Sequence, residues 1–437
     1  MSLRRQFFKF TIPSIVSMWI YSLYTIVDGI FVSNGVGEDA LAAVNLVQPY
    51  VNVMFAIGIF FATGTSTVIS LELGKGDRNR ACRFFNQNLV VVAVFCLTFS
   101  ALTLLFTDPL ARFLGGSEAT LDYVKQYITA IAPFAVFFAI SYNLEIQVKA
   151  DGSPQVSTIG VLSCGLANVI LDYLFVIVLE WGVWGAALAT GLAQSTSTVV
   201  FTCYFFFRKK RLQFGRFGRE LSVYKRIIPL GLSEGLSEFF NGLVILAFNL
   251  AIIRVLGADK VASYTIVGYV HMMVLMTMSG ASQGMQPLVS YNLGAGDRKT
   301  CHKLLRYGLA LCGGASLVLF AVAELFAPAI VSWFLEESSD LYGYTIYALR
   351  LFAPAFLIAG INVVMAAFFT AVEKPRYAFP IAVGRGCVLM FLSLGITAFV
   401  LGGDAIWLTA ALSEVLCLVL TAVFSVKYFK ALKKKAL

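Results

Sequence analysis

The chain has few charged residues for its length. Only 13% of its 437 residues are Asp, Glu, Lys or Arg, whereas an ordinary soluble protein has about 25%. Hydrophobic residues make up 59% of the chain, and the mean hydropathy is +0.82. This shortage of charge excludes an ordinary soluble domain and indicates a polytopic membrane protein.

Several motifs that identify enzymes are also missing. The chain has no Gly-x-x-x-x-Gly-Lys-Ser/Thr segment, which excludes a P-loop ATPase. Its two histidines, His271 and His302, do not form a zinc-binding HExxH motif. The eight cysteines occur singly, without a CxxC pair, and are typical of small buried apolar residues. We find no catalytic constellation and no sizeable soluble domain, so we expect neither an enzyme nor a receptor.

The chain contains long hydrophobic runs with few charged residues. A helix needs about 20 apolar residues to cross the hydrocarbon layer, and twelve runs predict such helices. They lie near Phe10–Val32, Ala40–Leu73, Phe84–Phe106, Leu121–Val148, Val156–Leu179, Gly182–Phe207, Ile227–Leu256, Ala262–Leu293, Leu304–Phe326, Leu341–Val372, Ala378–Leu401 and Ala405–Phe429.

The positions of the basic residues predict the orientation. The formal net charge is +9, but the basic residues lie between hydrophobic runs, which argues against nucleic-acid binding. If both termini are cytoplasmic, 27 of the 33 Lys and Arg residues fall on the cytoplasmic side and 5 on the outer side. Because cytoplasmic loops are enriched in Lys and Arg, we expect a multi-pass protein of a bacterial plasma membrane with both termini inside.

The chain also contains an internal repeat. The segment 69–78, ISLELGKGDR, returns at 289–298 as VSYNLGAGDR. The pair Ile12-Pro13 likewise returns as Ile228-Pro229. Each repeat holds six predicted helices, an even number, so both have the same orientation, as in the parallel repeats of some secondary transporters.

These observations predict an all-α polytopic membrane protein of twelve transmembrane helices in two six-helix lobes related by a parallel internal repeat. We place an N-terminal lobe at 1–207, a basic cytoplasmic linker at 208–226 and a C-terminal lobe at 227–437. We expect the protein to act as a monomer, with membrane lipids around it.

Two acidic residues lie well within the predicted helices of the first lobe. Asp172 follows Asn168 by four residues, so both side chains lie on one face of the fifth helix. Asp28 lies in the first helix. The basic residues of this lobe lie at helix ends, so these carboxylates must be protonated, hydrated or bound to an imported cation. Glu72 with Lys75, and Glu145 with Lys149, have the spacing of helix-end ion pairs.

Further side chains with oxygen atoms lie at the same predicted depth in the membrane as the two acids. At a rise of about 1.5 Å per residue, Asp28, Asp172, Tyr127 and Thr190 all lie within about 10 Å of the outer face. Carboxylates and neutral oxygens suit a hard monovalent cation such as Na⁺, and the carboxylates can also carry protons. Alternatively, each polar group forms a hydrogen bond with a neighbouring helix.

The second half has a different set of ionisable residues. Glu234 and Glu238 are four apart in the seventh helix, an unfavourable like-charged pair unless one is protonated or a cation binds. They predict a cavity for protons or a cationic substrate, or else a hydrated helix end. Arg385 lies deep in the eleventh helix and requires a partner, for which Glu414 or Glu324 is available. We favour a structural ion pair with Glu414.

With these residues, the chain resembles the MATE (multidrug and toxic compound extrusion) family over essentially its full length. The resemblance rests on Pro13 with Asp28, on the Gly-x-Gly-Asp-Arg turn at 74–78 and its second copy, on Asn168 with Asp172, and on the two-times-six helix plan. It is strongest to a bacterial branch with an acidic cation site in the N-terminal lobe.

The resemblance implies roles for individual residues. It implies that H⁺ or Na⁺ binds at Asp28, Asn168, Asp172 and Thr190, that Tyr127 lies in the cavity, and that the first helix bends at Pro13. It implies no other cofactor. It also implies export of organic, often cationic and lipophilic compounds in exchange for H⁺ or Na⁺ by alternating access. The acids of the seventh helix match the family only loosely.

A flippase for lipid-linked saccharides is the alternative on the same architecture. Such cargo carries phosphates, so its cavity is expected to contain several Lys or Arg side chains. Arg385 is the one basic residue deep in a predicted helix, which favours the multidrug antiporter.

Overall fold

The computed structural model describes residues 2–35, 38–118, 120–208, 210–215 and 217–436, and the regular structure of these residues is helical. In the first half the helices are α1 (Leu3–Gly35), α2 (Glu38–Gly74), α3 (Arg78–Leu105), α4 (Thr107–Phe113), α5 (Leu121–Ile131), α6 (Ala135–Ala150), α7 (Pro154–Asp172) and α8 (Gly182–Phe207). In the second half they are α9 (Tyr224–Val255), α10 (Lys260–Gly294), α11 (Arg298–Leu325), α12 (Ala327–Val331), α13 (Asp340–Phe352), α14 (Pro354–Ala371), α15 (Pro375–Val383), α16 (Leu389–Gly395) and α17 (Thr409–Ala436).

Short segments of other helix types interrupt or extend these helices. The 3₁₀ segments are Ala132–Phe134, Leu221–Val223 and Gly403–Leu408, and the π-helical segments are Tyr173–Val178, Gly384–Val388 and Ile396–Leu401. Prolines explain two of the breaks, since proline lacks an N–H and disfavours the helical conformation of the residue before it. The predicted fourth helix divides at Pro133 and the predicted tenth at Pro354.

Eleven segments of the described chain are long and apolar enough to cross a membrane. The predicted sixth helix is α8, whose 26 residues match its predicted bounds but which is not among the eleven. Its centre carries a polar run, TGLAQSTST at 190–198, which lowers its mean hydropathy. Several of these polar side chains are buried, among them Gln194 and Ser197. The helix therefore turns its polar face inward and completes the twelve-helix plan.

The internal repeat is visible in local detail. Asp77 caps α3 by accepting a hydrogen bond from the Arg80 amide at 2.9 Å, and Asp297 caps α11 through the Thr300 amide at 2.9 Å. The glycine before each aspartate has a positive φ, 84° at Gly76 and 79° in the second copy. Both copies therefore fold as the same helix-turn-helix corner. We call the end of the bundle that carries these two corners the basic end.

The two halves pack their apolar residues largely apart. One buried cluster consists of second-half residues together with Phe7 and Phe10 of α1. Three smaller clusters consist mainly of first-half residues, and one of them also includes Ile227 and Leu230 of α9. The halves meet where α1 packs on α10 and where α2 packs on α9 and α10. At the basic end a Cβ on Gly74 would overlap the Tyr291 carbonyl, and one on Gly294 would overlap the Leu71 carbonyl. Only glycine allows this close approach of α2 and α10, which closes the basic end.

The segment between the halves is held against the first half. The Asp151 carboxylate accepts hydrogen bonds from the amides of Arg211 and Leu212 at 2.9 and 2.7 Å and from the Tyr204 hydroxyl at 2.7 Å. Within the predicted linker 208–226, residues 209 and 216 lie outside the described residues. The predicted seventh helix, near Ile227–Leu256, is α9, which starts at Tyr224.

Candidate functional site

Four helices bring the predicted cation-site residues of the first half together. In the bundle α7 packs against α1 and α8, and α8 also packs against α5. The Asp28 carboxyl on α1 lies within interaction distance of Asp172 and Asn168 on α7 and of Thr190 on α8. Tyr127 on α5 places its hydroxyl beside Thr190 and near both acids. Residues up to 162 positions apart in sequence thus form one cluster, which we call the acidic cluster.

The oxygens of the acidic cluster are poorly satisfied by the protein itself. Asn168 is 1% exposed and Asp172 is fully buried, while Asp28 is half-buried. Four buried oxygens of the acidic cluster have no hydrogen-bond partner of normal geometry among the described residues: Asp28 Oδ1, Asn168 Oδ1 and both carboxylate oxygens of Asp172. The Thr190 hydroxyl donates to the Ala186 carbonyl at 3.1 Å, so it presents lone pairs to its other neighbours. Buried acceptors without donors are costly, and a proton or a cation among them would remove that cost.

The donor set fits a small hard cation rather than a transition metal. No Lys or Arg among the described residues forms an ion pair with Asp28 or Asp172, so protein cations do not neutralise them. No group of three or more His, Cys, Asp and Glu side chains capable of holding a metal occurs within that part of the chain. Two carboxylates, an amide oxygen and a hydroxyl are ligands of Na⁺ type, and the carboxylates are proton acceptors.

A central cavity of about 130 Å³ lies between the halves. Its wall is mainly aromatic on the first-half side, with Tyr21, Tyr24, Phe55, Phe138 and Tyr142. The second half contributes Glu238, Met276, Ser279 and Gln283. Glu145 and Glu238 are its two acidic residues, and no Lys or Arg of the described chain lines it. The cavity is therefore aromatic and acidic, and it is smaller than the roughly 300 to 1,000 Å³ typical of pockets for drug-sized ligands.

The acidic cluster lies one helical turn from the cavity. On α1, Tyr24 lines the cavity and Asp28 follows four residues later. The other two helices show the same spacing, with Cys164 and Asn168 on α7 and Gln194 and Thr190 on α8. Side chains four apart on a helix are neighbours on one face. The acidic cluster and the cavity are therefore adjacent on three shared helices, α1, α7 and α8.

The helix that carries Asp172 changes its geometry at that residue. The α-helix ends at Asp172, and a π-helical segment, Tyr173–Val178, follows without a break. The repeat-related helix has a π segment at Ile396–Leu401. Single π turns within helices are frequent at functional sites. Neither π-helical segment contains a proline or a charged residue, so the sequence does not predict where they occur.

Glu145 and Lys149 form the predicted ion pair, but the pair is buried at a contact between the halves. Lys149 is fully buried, the one Lys or Arg so placed among the described residues. Its Nζ donates to Glu145 Oε1 at 2.8 Å and to Oε1 of Gln283, on α10, at 2.9 Å. Gln283 Nε2 donates in turn to the Tyr142 hydroxyl at 3.2 Å. Sequence spacing predicted the pair but not its burial, because burial comes from α10 packing over it.

Of the three predicted cavity residues, Tyr127, Glu234 and Glu238, one lines the central cavity. Glu238 lines the central cavity. Glu234 instead accepts a hydrogen bond from the Thr63 hydroxyl of α2 at 2.8 Å and does not line it. Tyr127 belongs to the acidic cluster rather than to the cavity wall. Glu234 and Glu238 lie on one face of α9 but one turn apart along it, and at the level of Glu234 the side chain meets α2 instead of the cavity.

The second half holds a buried charge network of its own. Arg385 Nε donates to Glu414 Oε1 at 2.7 Å, and Asn362 Nδ2 donates to Glu414 Oε2 at 2.7 Å. The other candidate partner, Glu324, lies beside Arg350 instead, at 3.9 Å. Glu414 is 2% exposed. Each of its two carboxylate oxygens has a donor, unlike those of the acidic cluster.

Comparison with known proteins now identifies the family. The MatE family model matches residues 13–174 and again residues 235–400, one match in each half. The chain belongs to the MatE (MATE) family. This assignment agrees with the twelve-helix fold and with the expectation of a transporter rather than an enzyme.

Individual MATE relatives cover most of the chain. The multidrug export protein MepA of Staphylococcus haemolyticus is 26% identical over 396 residues, which are 89% of this chain and 86% of that protein. MepA of Staphylococcus aureus strain NCTC 8325 is 23% identical over 388 residues, 87% of this chain and 84% of that one.

Solved structures share the fold. A multidrug resistance MATE transporter in an outward-facing conformation matches with a TM-score of 0.93 and 21% identity, over 99% of this chain and 97% of that one. A MOP superfamily transporter from Pyrococcus furiosus, described by the reverse polarity of its binding pocket, matches with a TM-score of 0.91 at 21% identity over 99% and 97% of the two chains.

Proposed function

We propose that the protein is a secondary antiporter that exports lipophilic organic cations in exchange for H⁺ or Na⁺ by alternating access. The observation that carries this proposal is the acidic cluster, with four buried oxygens that lack partners, one helical turn from an aromatic, acidic cavity. The names of the MepA relatives, which are multidrug export proteins, and the family assignment support it. The proposal places the protein in a bacterial plasma membrane with both termini cytoplasmic.

The coupling ion binds at Asp28 and Asp172 in this proposal, with Asn168 and Thr190 as neutral ligands. Binding of a proton or Na⁺ relieves the repulsion between two carboxylates that no Lys or Arg of the described chain neutralises. A ligand drives a conformational change only through different affinity for the two states. Occupied and vacant forms of the acidic cluster favour different positions of α1 relative to α7 and α8, which provides that difference.

The first helix is suited to transmit the change. Pro13 lies inside α1 and removes one backbone hydrogen bond from it. The lost bond is the one that an N–H at this position would donate to the Lys9 carbonyl. The Pro13 carbonyl itself accepts from the hydroxyls of Ser17 and Thr158, both at 2.9 Å. We propose that α1 bends here when the acidic cluster changes its charge, and that the two lobes, 1–207 and 227–437, then rotate apart at the basic end.

The cavity is the proposed cargo site. Tyr and Phe rings provide faces for a cation and for aromatic cargo, and Glu145 and Glu238 provide negative charge. A lipid-linked saccharide would require basic residues for its phosphates, and the described cavity wall has none. The polarity of the cavity therefore favours an organic cation over the flippase alternative. Bulky cargo requires the halves to separate further, since the cavity holds about 130 Å³.

Transport by purified protein in liposomes tests the proposal. Vesicles loaded with a fluorescent lipophilic cation are given either a pH gradient or a Na⁺ gradient, applied separately. We expect one of the two gradients to accelerate movement of the dye above its rate without a gradient. Dye movement that neither gradient changes, together with scrambling of a fluorescent lipid phosphate, would replace the antiporter with the flippase.

A further inference from the structure

An open basic groove lies where α1 begins. It has a volume of about 540 Å³, and one residue of α7, Gln155, lines it together with the start of α1. The α1 residues that line it are Ser2, Arg4, Arg5, Phe8, Lys9, Ile12 and Pro13. Three of them are basic and none is acidic. We call this feature the basic groove.

The cations of the basic groove have no ion-pair partner among the residues that the structure describes. Arg5 and Lys9 are four apart on one helix, a like-charged spacing that is unfavourable by itself. Neither they nor Arg4 forms an ion pair within the described chain. The Arg4 guanidinium lies 5.9 Å from the centre of the Phe8 ring, so it is positioned over the apolar floor of the groove.

The repeat-related start of α9 carries a different set of charges. With the offset from Pro13 to Pro229, Arg4 and Arg5 correspond to Glu220 and Leu221. Lys9 corresponds to Lys225, so one of the three cations has a basic counterpart. The cluster of three cations is therefore not repeated in the second half.

The location of the basic groove indicates what occupies it. Helix α1 has 33 residues, about 50 Å at 1.5 Å per residue, whereas the hydrocarbon layer is about 30 Å thick. Its first two turns therefore reach the level of the lipid headgroups. The floor is apolar, since Phe8 is half-buried and Ile12 is 54% exposed. A free phosphate would leave these two side chains uncovered, whereas acyl chains would cover them.

We propose that the basic groove binds one anionic phospholipid. The phosphate lies between Arg5 and Lys9, with Arg4 and the Gln155 amide as further donors, and the first acyl carbons lie on Phe8 and Ile12. Guanidinium groups suit phosphate because they donate two parallel hydrogen bonds. The proposal concerns lipid binding alone and does not depend on the cargo or on the coupling ion.

Native mass spectrometry of the full-length protein tests this site. Phosphatidylglycerol and phosphatidylcholine with the same acyl chains are titrated onto wild type and onto the double variant Arg5→Gln/Lys9→Gln. A basic residue beside an anionic headgroup contributes about 1 kcal/mol, or about fivefold in affinity, so we expect roughly 25-fold weaker phosphatidylglycerol binding in the double variant. The matched control is Lys430→Gln/Lys433→Gln, which removes two exposed lysines of α17 that do not line the basic groove. Because they do not contact the bound headgroup and salt screens distant charges, they should change the affinity by less than about twofold.

Three results would overturn the proposal. They are equal affinity of the double variant and wild type, equal binding of the two lipids, and displacement of the lipid by glycerol phosphate at the same concentration. The last result would assign the groove to a free phosphate. If the double variant is not monodisperse, Lys9→Gln alone is used, with an expected weakening of about fivefold and the same contradicting outcomes.

Discussion

Removal of the buried ammonium group of Lys149 should destabilise the protein strongly. In Lys149→Met the carboxylate of Glu145, 5% exposed, keeps only the Ser157 hydroxyl at 2.9 Å as a donor to Oε1. Breaking a buried ion pair by removing one partner costs about 3 to 5 kcal/mol, because the other charge remains buried without compensation. The change also removes the hydrogen bond to Gln283 at 2.9 Å. We expect the free energy of unfolding to fall by that range.

The assay is thermal unfolding of the purified protein in detergent, with a second substitution that neutralises the orphaned charge. Lys149→Met/Glu145→Gln should recover more than half of the loss, since the two side chains form one unit. The matched control is Lys75→Gln. Its partner Glu72 keeps Arg226 at 3.2 Å, and Lys75 is 45% exposed, so about 0 to 1 kcal/mol is expected. If Lys149→Met unfolds at the same temperature as wild type, or if the double variant unfolds at no higher temperature than the single variant, the burial argument is wrong.

Two further predictions follow from the helix contacts and caps. In Gly294→Ala the new Cβ overlaps the Leu71 carbonyl, and no rotamer change relieves a clash with the backbone. The closed arrangement of the basic end should therefore be destabilised by about 1 to 3 kcal/mol, and the distance between spin labels across it should increase. Gly268→Ala on the same helix has open space around it and should leave that distance unchanged. Hydrogen bonds from Thr300 hold the pKa of Asp297 below its usual range. The stabilisation that its charge gives is therefore present above the ordinary Asp pKa of about 3.9 and is lost as the pH falls below it, so the difference in melting temperature between wild type and Asp297→Ala should shrink in acid. A constant difference across pH would contradict this assignment.

Sequence patterns predicted the helices and the repeat well because both follow from local features. The uncharged run between Trp181 and Arg208 located α8 with its bounds despite its polar centre, and the repeated Gly-x-Gly-Asp-Arg segment predicted two corners that fold alike. Contacts between helices could not be predicted from these local features. Equal depth suggested that Asp28 and Thr190 could meet, but depth does not say which helices are neighbours. Packing of α1 and α8 on either side of α7 supplies that information.

The structure changed the interpretation where a second helix covers a residue. Lys149 has the spacing of an ordinary helix-end pair, and only its 0% exposure shows that it lies at the contact between the halves. Glu234 and Glu238 form one pattern in sequence, yet the first contacts Thr63 and the second lines the cavity. Side-chain spacing along one helix does not show which helices pack against it. The sequence therefore could not predict the burial of Lys149 or the different contacts of Glu234 and Glu238.

The central claim is that the acidic cluster carries the coupling ion, and gradient-driven transport by Asp172→Asn tests it most directly. The amide keeps the size of the side chain but can neither carry a proton nor neutralise Na⁺. The control is Asp404→Asn, at an acid outside the cluster whose carboxylate accepts from the Tyr344 hydroxyl at 2.6 Å. The account predicts that dye efflux by Asp172→Asn falls to the rate without a gradient while the control keeps the wild-type rate. Gradient-driven efflux that survives in both Asp172→Asn and Asp28→Asn would contradict it.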